Sequence, residues 1–127
     1  MASGSDTPHL PRPALIEAYG KGGFRFAGMS HRGSLLCLPD GIWPWAVESP
    51  DRIDAAALAL VFARASELDL FLLGTGMDLW IMPEPLRRRF RELPLKLDVM
   101  PTGPAFRTYN VLFAENRRVG AGLIAVP

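Results

Sequence analysis

The sequence predicts one α/β domain in which an amino-terminal β-meander is followed by alternating helices and strands. Three observations predict this class. Hydrophobic residues make up 49% of the 127 residues, which is enough for one core. The first third consists of short apolar runs separated by glycines, as expected for antiparallel strands. After residue 50, segments with helical spacing alternate with short apolar runs, which favours a parallel sheet with crossover helices.

The meander is predicted from alternation and turn chemistry. Phe24–Phe26 alternates with the period of two that a half-buried strand shows. The glycines of Gly20–Gly23 indicate a hairpin turn rather than a phosphate-binding loop, because no helix follows them. Proline and glycine on either side of Asp40 are typical of a tight turn. The predicted strands are residues 14–19, 24–26 and 34–38, with breaks at 20–23, 28–33 and 39–41.

Three helices are predicted from capping residues and apolar spacing. Asp54 is the predicted cap of the first, Pro83–Pro85 opens the second, and Thr102 is the predicted cap of the third. The apolar run 68–73 between the first two helices predicts a strand covered on both faces. Further strands are predicted at 79–82, 95–99 and 119–126. The residues predicted to point inward from the helices are Leu58, Val61, Phe62, Ala65, Leu86, Phe90, Leu93, Ala105, Phe106, Tyr109, Leu112 and Phe113.

Charge and cysteine content restrict the function. The net charge is +1, so the chain as a whole has no strong electrostatic reason to bind nucleic acid or anionic lipid. Cys37 is the only cysteine, which excludes an internal disulfide, and its apolar neighbours predict an inert core thiol. His9 and His31 add too few ligands for a metal site. We therefore predict no metal and no cofactor.

The first thirteen residues differ in character from the rest. They are small, polar and proline-rich without periodicity, which predicts a flexible tail at 1–13 and a single domain at 14–127. They have neither the apolar stretch of a secretory signal nor the basic amphipathic pattern of a mitochondrial presequence. Apolar runs elsewhere are far shorter than the roughly 20 residues that span a bilayer. The sequence thus predicts a soluble, cytoplasmic protein without an integral membrane segment.

The glycine-containing loop Gly74–Gly76, with Thr75 at its centre, follows the most apolar predicted strand. A dinucleotide-binding loop would need a third glycine and an immediate helix. Leu79 occupies that third position, so a tight turn at the carboxyl end of a strand is favoured. Because open α/β sheets usually bind ligands at this end, the loop remains a candidate to line a cleft.

The segment Thr102–Asn110 is the second candidate site. The amino end of a helix offers free N–H groups to an anion, and Arg107 lies one turn inside the helix. One hypothesis is therefore an anion or carboxylate pocket shared with Gly74–Gly76, with Thr108 and Asn110 among its residues. The alternative is a capped helix whose Tyr109 packs in the core.

Two surface features remain. Trp43 and Trp45 flank a proline, and they are either a lid over the edge of the core or a binding hot spot; burial is favoured for Trp45.

Arg87–Arg91 contains four arginines, with Glu84 and Glu92 on either side. A solvated helix face is favoured over contact with an acidic partner, and nucleic-acid binding is the least favoured explanation.

The order of several short motifs resembles one family. These motifs are Tyr19-Gly20 with Gly23-Phe24, Gly33-Ser34, Pro44-Trp45, Gly74–Gly76, Thr102 with Ala105, and Thr108–Asn110. Together they resemble the adipogenesis-associated, Mth-like domain family, which includes the mitochondrial assembly factor of the NADH:ubiquinone oxidoreductase (complex I). The resemblance covers the chain from Ala14 to its end.

The resemblance implies a three-layer β/β/α fold with a mixed sheet, a second small sheet, and helices on one side. It also implies a non-catalytic protein, and the missing mitochondrial presequence pattern matches a bacterial member of the family. The leading hypothesis is an interaction protein with a role in complex I assembly, whose partners would be complex I subunits or other assembly factors. The alternative is a small-molecule or anion binder, or an enzyme, that uses the cleft between Gly74–Gly76 and Thr102–Asn110. The sequence leaves a homodimer open.

Overall fold

The computed structural model describes residues 7–127 and contains eight strands, three α-helices and two short 3-10 helices in that range. Residues 1–6 of the predicted tail lie outside the described residues. In the remainder of that tail, His9 and Leu10 hydrogen-bond to the backbone of Ile42; its predicted flexibility stays a prediction. The elements are β1 (Ile16–Gly20), β2 (Gly23–Phe26), β3 (Met29–Arg32), β4 (Ser34–Leu38), β5 (Gly41–Trp45), α1 (Ala59–Ala63), β6 (Leu70–Gly74), α2 (Glu84–Arg91), β7 (Lys96–Met100), α3 (Thr102–Ala114) and β8 (Val119–Leu123).

The strands form two sheets. β1, β2 and β3 make a three-stranded antiparallel sheet in that order. The larger sheet has the order β5-β4-β8-β6-β7; β6 pairs in parallel with both β7 and β8, and β4 is antiparallel to its two neighbours. The predicted meander and the predicted parallel strands with crossover helices are both confirmed.

The larger sheet is the middle of three layers. Phe71 and Leu73 of β6 point towards α1 and α2, where they meet Val61 and Phe90. The alternate residue Leu72 points to the opposite face, into a core that contains residues of α3 and of the small sheet. The three-layer mixed α/β fold is therefore confirmed, but the helices do not all lie on one side. The third helix shares its layer with the small sheet because its apolar residues fill the space that three short strands leave uncovered.

The strand predictions differ from the structure in three places, one of which is β5 (Gly41–Trp45), where the sequence predicts no strand. The sequence predicts a break that includes Met29–Arg32, yet these residues form β3 and pair with β2. The sequence predicts a strand at residues 79–82, yet this segment is irregular. The segment 79–82 cannot pair with β6, because β7 and β8 already occupy both edges of that strand.

The predicted helix caps also need correction. Asp54 does accept a hydrogen bond from the Ala57 N–H, at 2.8 Å, but this closes a turn and the short α1 begins only at Ala59. Thr102 is the first residue of α3, the cap position is held by Pro101, and the Thr102 side chain makes no capping bond. Its hydroxyl instead bonds to Gly76 and Ile124, which are distant in the sequence.

Asn110 joins α3 to the small sheet. Its amide nitrogen donates to the Ile16 carbonyl at 2.8 Å, and its amide oxygen accepts from the Ile16 N–H at 2.9 Å. One residue earlier, the Tyr109 hydroxyl donates to the Ala14 carbonyl at 3.0 Å. The start of β1 is thus paired with side chains of α3 in place of a further strand.

We predict that Asn110→Ala lowers the free energy of unfolding by about 1–3 kcal/mol, because both backbone groups of Ile16 lose their partner. Urea unfolding measures this change, and hydrogen exchange at the Ile16 amide should accelerate. Val111→Ala is the matched control, since that neighbouring side chain is 58% exposed and should change stability by less than about 0.5 kcal/mol. Equal stability of the two variants would contradict this role.

Candidate functional site

The loop after β6 and the start of α3 are joined by direct hydrogen bonds. The Gly76 N–H donates to the Thr102 hydroxyl at 2.8 Å, and the Thr102 N–H donates to the Gly76 carbonyl at 2.9 Å. The same Thr102 hydroxyl donates to the Ile124 carbonyl at 2.7 Å. One buried hydroxyl therefore connects the loop, the helix and the segment after β8.

This junction fills the space in which the sequence predicted an anion pocket. A Cβ atom added at Gly74 would lie 3.0 Å from the Thr102 Cα and 3.1 Å from the Ala105 Cβ. The backbone N–H groups of Thr75 and Gly76 are already used, by the Met100 carbonyl and the Thr102 hydroxyl. The loop consequently has neither the room nor the free donors that a phosphate cradle needs.

The other residues predicted for this pocket have separate positions. Arg107 is exposed and Thr108 is half-buried on α3, whereas Asn110 is used by β1. Tyr109 is buried in the core, as the alternative interpretation of this segment predicted. The structure brings Gly74–Gly76 and Thr102 together but does not gather the remaining residues around a common opening.

Trp43 and Trp45 lie on β5, the edge strand of the larger sheet, and both are buried. Pro44 is tolerated between them because an edge strand needs fewer backbone donors. The Trp45 indole donates to the Ala57 carbonyl at 2.9 Å. Arg64 lies over the Trp43 ring, 5.4 Å from its centroid. Burial, rather than an exposed hot spot, is what the structure shows for both indoles.

The most unusual surface is the loop between β6 and α2. Three of its side chains are strongly exposed: Met77 at 70%, Leu79 at 83% and Ile81 at 83%. We call these three residues the apolar loop. Sequence reasoning missed it because a short apolar run was assigned to a strand. The feature of the sequence that indicates a loop here is its position, directly after a buried strand and directly before Pro83.

Both ends of the apolar loop are fixed to the body of the protein. At its start, the Thr75 hydroxyl donates to the Asp78 carbonyl at 2.7 Å, and the Gly76 backbone is held by Thr102. At its end, Met82 is buried in the core beside α2. The exposed side chains are therefore presented from an anchored base. A pocket of about 350 Å³ lies beside the loop, between Trp80, Ile124 and the segment 48–50. Thr75 and Gly76 are among the residues that line it, so the loop after β6 does border a cleft.

The groups that most often carry catalysis are in unfavourable positions. Burial raises the pKa of the Cys37 thiol to about 12, so the thiol is protonated at neutral pH. Burial likewise raises the pKa of Tyr109, and the neighbouring Cys37 contributes to this shift. Within residues 7–127, no three His, Cys, Asp or Glu side chains lie close enough to hold a metal ion.

The arginines of α2 form a solvent-exposed face. Arg87, Arg88, Arg89 and Arg91 are all exposed, as the sequence predicted. Arg91 pairs with Glu84 at 2.6 Å, and Arg89 lies over the Phe62 ring, 4.5 Å from its centroid. Two of the four guanidinium groups therefore have partners within the chain.

Comparison with known proteins identifies the family. Residues 16–124 match the family described as "Protein of unknown function (DUF498/DUF598)". The chain belongs to this family. The matched range contains both sheets and all three α-helices.

Three relatives place the family among known proteins. The Rpa2829 protein from Rhodopseudomonas palustris has a solved structure that is 56% identical, with a TM-score of 0.83; the match covers 100% of this chain and 94% of that chain. A Bordetella pertussis protein described as a Mth938-like domain is 24% identical, with a TM-score of 0.76 over 87% of this chain and 85% of that chain, which shows the fold alone. The chain is also homologous to mouse NADH dehydrogenase [ubiquinone] 1 alpha subcomplex assembly factor 3, at 26% identity over 93% of this chain.

The likeness to the mouse protein is partial in length. The match covers 64% of the mouse protein, so part of that protein has no counterpart in this chain. In residues 7–127 of the present chain, every helix is too short or too polar to cross a bilayer.

We predict that Thr102→Val destabilises the fold, because Gly76 and Ile124 each lose a buried partner worth about 1–3 kcal/mol. Thr102→Ser is the matched control, since it keeps the hydroxyl. Chemical unfolding of both variants tests the difference. If the Thr102→Val variant were as stable as the wild-type protein, the hydrogen bonds of the Thr102 hydroxyl would not stabilise the fold.

We also predict that Cys37 does not react with a water-soluble thiol reagent at about pH 8 until the protein unfolds, because the thiol is buried and its pKa is raised to about 12. The absorbance of released thionitrobenzoate, with and without denaturant, measures the reaction. Rapid modification of the folded protein would contradict the burial. The denatured protein is the positive control.

Proposed function

We propose that this protein is a non-catalytic interaction factor that acts in the assembly of respiratory complex I, and that the apolar loop is its docking element. The observation that carries the proposal is the exposure of Met77, Leu79 and Ile81 on an anchored base. Several exposed apolar side chains within one short loop are typical of protein interaction sites.

The anchoring supports docking rather than simple disorder. A contact surface whose ends are fixed loses less conformational entropy when a partner binds, because its backbone is already restricted. Thr75 and Thr102 restrict the start of the loop, and Met82 restricts its end. The exposed side chains can then insert into a partner's apolar pocket as anchors.

The proposed process comes from the homologous proteins named as complex I assembly factors. Docking on a subunit before its final neighbours arrive requires a binding surface but no reaction. The buried thiol and the absence of a metal-binding cluster in residues 7–127 are compatible with such a role. The partner we propose is a complex I subunit or another assembly factor.

We predict that the double variant Leu79→Ser, Ile81→Ser fails to restore complex I in a strain that lacks the gene, while the wild-type gene restores it. Serine removes the apolar contacts, and both positions are 83% exposed, so the fold should be kept. Native gel electrophoresis of membranes, with in-gel NADH oxidation, measures the assembled complex.

Val111→Ser is the matched control, since it removes an exposed apolar side chain from α3 and should complement fully. Circular dichroism and thermal unfolding confirm that all variants are folded. Normal complex I in the deletion strain would overturn the assembly role. Full complementation by the double variant would overturn the role of the apolar loop only.

A further inference from the structure

A second surface is lined by residues other than those around the apolar loop. It is a groove of about 760 Å³ between the edge of the larger sheet and the α1 region. Its floor contains Leu36 and Trp45, and its far wall contains Leu60 and four alanines, at positions 56, 57, 59 and 63. The alanines matter because their short side chains leave the groove open.

The interior of the groove is apolar. The one indole N–H in its floor, that of Trp45, is already bonded to the Ala57 carbonyl at 2.9 Å. Of the side chains that line the groove, only His31 and Arg32 are ionisable, and both belong to the same end. Burial lowers the pKa of His31, which leaves Arg32 as the cation at that end near neutral pH.

The charged end continues into a basic depression. His31 and Arg32 also line a hollow of about 580 Å³ on the small sheet, together with Lys21 and Arg25. Arg25 donates to the Ser30 hydroxyl at 3.0 Å and lies 4.0 Å from Glu17. Among residues 7–127, neither Lys21 nor Arg32 forms an ion pair with an acidic side chain. The apolar groove thus opens at one end onto cations that are not neutralised.

We propose that this groove binds a single-chain amphiphile with an anionic head, with the alkyl chain along Leu36, Trp45 and Leu60 and the head group at Arg32. The volume lies within the range of about 300–1,000 Å³ that is usual for small-molecule sites. A ligand with only an alkyl chain would make no ion pair with Arg32 or Lys21. A short anion would make no contact with the apolar residues of the groove. A carboxylate and a phosphate monoester share the required chemistry.

The site is independent of the apolar loop. The groove and the small pocket beside that loop share no lining residue. The Leu79→Ser, Ile81→Ser variant should therefore bind the amphiphile normally. This variant therefore separates the two proposals, because it changes the apolar loop and leaves every residue of the groove in place.

The test uses the full chain and three probes: dodecanoate, dodecyl phosphate and the uncharged dodecanol, each below its micelle or solubility limit. Tryptophan fluorescence, to which Trp45 in the groove contributes, and amide chemical shifts at Ala59 and Ala63 report binding. We expect saturable binding of one anionic molecule per chain, with dodecanol bound about fivefold more weakly. Tighter binding of the phosphate or of the carboxylate identifies the head group.

Ala63→Phe should fill the groove and weaken binding at least about tenfold, since it displaces most of the alkyl chain. Ala114→Phe is the control at an exposed alanine on α3. Arg32→Gln should weaken the anionic probes about fivefold and leave dodecanol unchanged, with Arg117→Gln as its control. Thermal unfolding verifies the fold of each variant.

Absence of saturable binding would overturn the proposal. So would equal binding by Ala63→Phe and the wild type, because the ligand would then lie elsewhere. Dodecanol binding as tight as dodecanoate and dodecyl phosphate, with no effect of Arg32→Gln, would overturn the assignment of an anionic head.

Discussion

The Thr102 hydroxyl is buried where three parts of the chain meet, and its two hydrogen bonds fix their relative positions. It accepts from Gly76 in the loop after β6 and donates to Ile124 after β8, while its own backbone begins α3. A buried hydroxyl that both accepts and donates a hydrogen bond is costly to replace. Without it, the Gly76 N–H and the Ile124 carbonyl would have no hydrogen-bond partner in either protein or water. The closed carboxyl end of the sheet and the anchored base of the apolar loop both depend on it.

This arrangement explains why Gly74–Gly76 and the start of α3 do not form an anion cradle. Glycine at positions 74 and 76 and a helix start at Thr102 suggest an anion cradle when each is considered separately. Here Gly74 serves close packing against α3, and the loop amides bond within the protein. The sequence places these residues at the correct end of the sheet, but it cannot show that they satisfy one another.

The elements that could be predicted are those with a strong local pattern. The apolar run of β6, the amphipathic faces of α2 and α3, and the hairpin at Gly20–Gly23 were all recognisable. β3 was missed because Met29–Arg32 carries mostly polar residues and its strand character comes from pairing with β2. The groove beside α1 was also missed, because small alanines produce an opening only when they lie opposite Trp45. Such features arise from tertiary packing, and no local signal encodes them.

The inert thiol of Cys37 makes the molecule convenient for spectroscopy. It is the only sulfhydryl in the chain, and it is enclosed by the core. A variant such as Leu79→Cys or Ala59→Cys would therefore accept a spin label or fluorophore at one chosen position without prior removal of the native residue. Electron paramagnetic resonance or energy transfer could then follow the apolar loop and the groove separately, in a protein whose interior is unaltered.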